Sequence, residues 1–144
     1  MDPMQLPKTN NPLVVRTSFE NRKAWKEICK AIRAPVPAPG DTFYAYVEFL
    51  ENAEFQGLDT RELLARVPGD YRHSFVFVVD STTINHPEYP VLVIDLRGAA
   101  GRHFRAIPAT IQAIENNLSI SNMDFSDFAN AVDKDGIFRG FPPP

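Results

Sequence analysis

Apolar residues recur along this chain in two registers, one spaced for helices and one nearly continuous, and their alternation predicts an α/β fold. The run LVVRT at residues 13–17 suits a short buried strand. The stretch SFENRKAWKEICKAIR follows it with Trp25, Ile28, Cys29 and Ile32 at helical spacing, and Ser18 is the expected N-cap. APVPAPG then reads as a stiff surface loop, because its prolines extend a connection and donate no backbone hydrogen bonds. FYAYVEFL alternates Tyr44, Tyr46 and Glu48 against Ala45, Val47 and Phe49, the period-two pattern of a strand with one less buried face. In LDTRELLARVPG, Asp59 and Glu62 form a capping box, Leu58 and Leu63 occupy staple positions, and Gly69 is the expected left-handed exit.

Two strongly apolar runs follow, FVFVVD ending at Asp80 and VLVID ending at Asp95. Their lack of alternation implies burial on both faces, as in the central strands of a helix-covered sheet. The intervening STTINHPEYP is too short and proline-rich to define a crossover helix, so the relative direction of the two strands stays open. HFRAI predicts a further strand paired with the second run. Pro108 suits a first helical position ahead of the stripe Ile111, Ile114 and Leu118. Asp124 caps a last helix bearing Phe125, Phe128, Ala129 and Val132. Residues 133–136 stop that helix, and IFRGF returns as an edge strand or docked tail. The expectation is a single layered α/β domain with a mixed sheet of about five to six strands and three to four packed helices. Its limits are residues 13–141, with a flexible tail at 1–12 and a short one at 142–144.

Composition narrows the class. A chain of 144 residues with 44% hydrophobic and 23% charged residues suits one self-sufficient domain. A net charge of −3 without a contiguous basic run argues against a nucleic-acid or acidic-lipid binder. The single cysteine, Cys29, permits no internal disulfide and falls on an apolar stripe, where a packed thiol is expected. With neither a signal-peptide pattern nor a membrane-length apolar run, the expected location is the cytoplasm.

Candidate chemistry concentrates at strand ends, since ligands of open α/β sheets bind beyond the carboxyl ends of strands. Asp80 and Asp95 each end a buried strand, with Arg16 and Arg97 at or just past strand ends and His86 in the loop between. If the two strands run parallel, the carboxylates share a rim where they hold a cation or divide acid and base roles; if antiparallel, they lie at opposite edges. The alternative is that each aspartate caps a turn or anchors an arginine. Arg105 and Arg139 interrupt apolar segments and call for carboxylate partners such as Asp95, Glu115 or Asp124. Asn117 sits beside a packed helix in a polar ENN cluster. RGAAGR has the composition of a phosphate cradle or of a hairpin turn. DKDG resembles the start of a calcium loop but lacks the oxygen at position five, the glycine at six and the glutamate at twelve, so no metal is expected. No nucleophile elbow, phosphate loop or Cys-x-x-Cys occurs, and no cofactor is implied.

The segments VVRTSF with Trp25, FVFVVDS, VLVIDL, FRAIP and ENNLSISNMDFSDFANAVDKDGIFRGF together resemble an uncharacterised family of small bacterial and fungal proteins, over residues 13–141. That resemblance implies no activity or cofactor. The last helix with its acidic turn and aromatic tail is also similar to immunity-type proteins, which implies a protein partner. The expected function is therefore non-catalytic binding of a protein or small-molecule partner, with exposed Tyr44, Tyr46 and Tyr89 available for contacts. The alternative is a cofactor-independent isomerase, cyclase or lyase using Asp80, Asp95 and a histidine. Oligomeric state is not encoded in any of these features.

Overall fold

The computed structural model describes residues 2–98 and 101–142. Its centre is a six-stranded mixed sheet in the order β4-β1-β5-β6-β7-β8. The strands are β1 Leu13–Arg16, β4 Glu48–Leu50, β5 Phe75–Val79, β6 Val91–Asp95, β7 His103–Ala106 and β8 Ile137–Phe138. β2 Val36–Ala38 and β3 Asp41–Phe43 make a separate hairpin. β1 pairs in parallel with both β4 and β5, β6 runs antiparallel to β5 and β7, and β8 joins β7 in parallel. Five helices are present among the described residues: α1 Arg22–Arg33, α2 Thr60–Leu64, α3 Ser81–Ile84, α4 Ile111–Ser119 and α5 Phe125–Ala129. None is long and apolar enough to cross a membrane.

The absence of alternation in β5 and β6 has its cause in two separate cores, and every residue of both strands is buried. Phe75, Phe77, Val79, Val91 and Val93 pack with α1, α4 and α5, where Trp25, Ile28, Ile114 and Phe128 enter one cluster. Val76, Val78, Leu92 and Ile94 face the other way onto Phe55, Leu63 and Leu6. Parity in a strand sends successive side chains to opposite faces, so both faces had to be apolar.

Several local expectations change. Residues 5–12 do not form a loose tail: the Leu6 amide donates to the Arg66 carbonyl at 2.7 Å, and its side chain is buried in the second core. α1 starts three residues later than expected, capped by Asn21, whose side chain accepts from the Ala24 amide. Ser18 is spent on the sheet rim, where its amide donates to Val79. The proline-rich segment is the β2–β3 hairpin, turning at Gly40 with φ of +75°, a left-handed geometry that favours glycine. FYAYVEFL is not one strand. Phe43 ends β3 and pairing in the main sheet begins at Glu48; between them the Tyr46 amide donates to the Glu115 carboxylate at 2.8 Å.

The capping box at Asp59 and Glu62 forms as expected, but α2 ends at Leu64, so Gly69 is not its exit. α5 gives way to a turn in which Gly136, at φ of +81°, donates to Asp133; β8 then forms the sheet edge. Phe141 follows as a docked aromatic, its ring 5.0 Å from Phe138 and 5.5 Å from Phe128. Ala99 and Ala100 of RGAAGR, and residues 143–144 of the expected C-terminal tail, lie outside the described residues.

Both docked ends carry measurable stability. Phe138→Ala is expected to cost about 3–5 kcal/mol and Leu6→Ala about 2–4 kcal/mol, by loss of buried contacts and cavity formation. Urea unfolding of the two variants checks this, and an unchanged midpoint for Leu6→Ala would return residues 5–12 to the status of a loose tail.

Candidate functional site at the carboxyl rim of the sheet

The antiparallel direction of β6 decides the geometry of the strand-end acids. Asp95 stands opposite Phe75, the first residue of β5, whereas Asp80 follows its last. At the usual rise per residue they are separated by roughly 15 Å, the length of the strand. The shared rim of Asp80 and Asp95 does not form, because the reversal through the short α3 sends the chain back down the sheet.

Asp80 lies at the carboxyl rim in a dense set of bonds. Its Oδ1 accepts from the Thr83 amide at 3.0 Å, capping α3, and from the Arg105 guanidinium at 3.0 Å; Oδ2 accepts from the other Arg105 nitrogen at 2.7 Å. Arg105 also donates to the Pro90 carbonyl at 3.1 Å. The buried Thr83 hydroxyl stands 2.9 Å from both Asp80 Oδ1 and that same carbonyl. Burial raises the Asp80 carboxyl, but the Arg105 fork and the Thr83 donors outweigh it, and the group sits below the usual carboxylate range. The predicted need of Arg105 for a carboxylate is met, by Asp80 and not by Asp95, Glu115 or Asp124.

The remaining residues divide between two rims. At the carboxyl rim the buried Arg16 pairs with Glu51, donates to the Ser18 carbonyl at 2.9 Å, and lies over the Phe19 ring at 4.5 Å. Arg139 is the hub of an exposed acidic cluster: it forks onto Glu88 at 2.8 and 2.9 Å and meets Asp133 and Asp135 at 2.7 Å each. Those bonds hold Glu88 and Asp135 below the carboxylate range and Arg139 above its own. The DKDG turn is thus an arginine anchor. His86 accepts through Nδ1 from the Glu88 amide at 3.0 Å, ordering the same loop.

At the opposite rim, buried Asp95 accepts from the Arg97 amide at 3.0 Å and from Arg102 at 3.3 Å. The Arg97 guanidinium donates to the Arg72 carbonyl. Glu115 takes the Ser119 hydroxyl besides the Tyr46 amide. Asn117 closes the end of α4 through Ala113 and Asn122. Burial pushes the Cys29 thiol up to about 11, consistent with a packed side chain.

What the expectations did not include is the crevice beside Asp80. From β1 the chain passes through α1 on one face to β4, then through α2 on the other face to β5 across β1. The strand order therefore reverses at the carboxyl ends of β1 and β5, the position where open α/β sheets leave a cleft. A cleft of about 360 Å³ lies there, lined by Thr17, Ser18, Glu20, Gln56, Gly57, Asp59, Asp80 and Ser81 among others. No lysine or arginine lines it, while three carboxylates do. The Ser18 hydroxyl is buried with no hydrogen-bond partner among the described residues. Leaving a buried hydroxyl unsatisfied costs about 1–3 kcal/mol. Asp59 Oδ1 caps α2 through the Glu62 amide at 2.8 Å, and no bond falls on its Oδ2 among the described residues.

This is a single-domain α/β protein with a mixed sheet and a switch-point cleft. The chain belongs to the family described as a domain of unknown function, DUF6924, whose profile matches residues 11–141. No curated protein matches the chain.

The depressed Asp80 pKa makes a pH prediction. The unfolded chain takes up the Asp80 proton first as pH falls, near 4, so the stability this group contributes is present above about pH 4 and fades as pH drops through the lower folded value. Unfolding free energy measured from pH 6 to 2 is expected to fall less steeply in Asp80→Asn than in the wild type. Parallel profiles would mean that Asp80 is not held ionised by Arg105.

Proposed function

We propose that this protein is a non-catalytic binding domain whose ligand is a small molecule rich in hydroxyl or amino groups, held in the cleft between the carboxyl ends of β1 and β5. The observation that carries the reading is the reversal of strand order at that cleft, lined by three carboxylates and by no lysine or arginine. The lining favours donors over anions: Glu20, Asp59 and Asp80 supply negative charge, and Gln56 and Ser81 supply polar groups that match a polyol. Binding is favoured over acid–base catalysis because both Asp80 oxygens are occupied and its carboxyl is held ionised, which makes it a weak base.

Titration of the isotope-labelled protein by NMR with ribose, glucose, glycerol and putrescine tests this. At least one of the four is expected to shift the amides of residues 17–20, 56–59 and 80–81 together. Ser81→Trp, which fills the cleft from an exposed position, should weaken that binding about tenfold or more while leaving the melting temperature within a degree or two. Shifts confined to other parts of the molecule, or binding unaffected by Ser81→Trp, would refute the assignment.

A further inference from the structure

We infer that the solvent face of α1 and the adjoining free edge of β4 form a docking surface for an acidic, extended segment of a partner protein. The chain is acidic overall at −3, yet Arg22, Lys23, Lys26, Lys30 and Arg33 all stand exposed on α1. Five of the 15 lysines and arginines thus occupy 12 residues, with Glu27 as the one acid among them. Glu27 is itself engaged by the Tyr89 hydroxyl. A linear scan finds no basic run because Trp25, Ile28, Cys29 and Ile32 interrupt it. On the helix those four turn inward and the cations gather on the opposite side.

Three of these cations, Arg22, Lys26 and Arg33, border a groove of about 400 Å³ between α1 and β4, floored by Trp25, Cys29 and Phe49. At this floor Trp25 meets Phe49 edge-on at 6.1 Å, and the Arg33 guanidinium covers the Phe49 ring at 4.3 Å. β4 is the terminal strand of the sheet. Its Glu48 amide points inward, donating to Pro12 at 2.9 Å, so strand alternation directs the Phe49 amide and carbonyl outward along the open edge. An extended peptide uses the open edge and the charge at once. Its backbone pairs with Phe49, and the carboxylates at every second position share the α1 face of the sheet with Arg22, Lys26 and Arg33, while the intervening apolar side chains lie on the other face.

Charge complementarity selects an acidic protein segment over other polyanions. Glu51 borders the same groove, and an anionic rim residue penalises a continuous phosphodiester chain more than a peptide whose charges alternate with apolar residues. A nucleic acid or membrane surface also makes no use of an unpaired strand edge.

The probe is a labelled peptide of about eight residues alternating Glu and Val, read by fluorescence anisotropy and by amide shifts in the full chain. It is expected to bind with strong salt dependence and to shift residues of α1 and β4. Methylating its backbone nitrogens on the pairing side, or replacing Glu by Lys, should weaken binding about tenfold or more. The double variant Arg22→Glu, Lys26→Glu should do the same with an unchanged melting temperature, both residues being exposed. Equal binding of the methylated and unmethylated peptides, undiminished binding by the double variant, or tighter binding of an oligothymidylate or of phosphatidylserine vesicles would overturn the inference.

Discussion

The Asp80–Arg105 fork is the interaction on which the carboxyl rim depends. One carboxylate ends β5, caps α3 and receives a guanidinium that reaches from β7 to the Pro90 carbonyl just before β6. Four consecutive pieces of the chain are thereby tied at one point. Both side chains are about three-quarters buried, at 22% and 24% exposure, so the pair is screened less than a surface ion pair, and both carboxylate oxygens accept from the guanidinium. Its geometry lets α3 be a single turn, which forces β6 to run back beside β5.

From that reversal follows the separation of the two rims. With β6 antiparallel, Asp95 becomes a turn anchor at the far edge, serving Arg97 and Arg102, and contributes nothing to the rim of Asp80. The cleft beside Asp80 arises from a different constraint, the placement of α1 and α2 on opposite faces of β1. The fork fixes one wall of that cleft, the Asp80–Ser81 step, while the Gly57 amide donating to the Thr17 carbonyl at 2.8 Å fixes another. A polar cleft with walls fixed in this way suits binding, because little ordering is left for the ligand to induce.

Features that depend on neighbouring residues were legible in the sequence. The capping box at Asp59, the proline opening the 3-10 turn at Pro108, and the two-sided burial of β5 and β6 all follow from residue type and spacing. Features that depend on distant partners were not. The amide of Tyr46 donates to Glu115, sixty-nine residues away, and nothing local to FYAYVEFL announces that bond. Ser18 and Asn21 are both acceptable caps by type. α1 begins at Arg22 with Asn21 as its cap, while the Ser18 amide carries the β1–β5 pairing one residue further, to Val79. The cleft needed strand order and helix sides together, and neither is encoded in a strand-end aspartate. The basic face of α1 was legible by its period, and only a search for contiguous charge conceals it.

Arg105 holds Asp80 as a structural fastener of the carboxyl rim. A double-mutant cycle with Asp80→Ala and Arg105→Ala, followed by urea unfolding at neutral pH, isolates their coupling from the other bonds each residue makes. A forked, mostly buried pair should couple by at least about 1 kcal/mol. Effects that add to within about 0.3 kcal/mol would contradict it and would leave Asp80 available for chemistry at the rim.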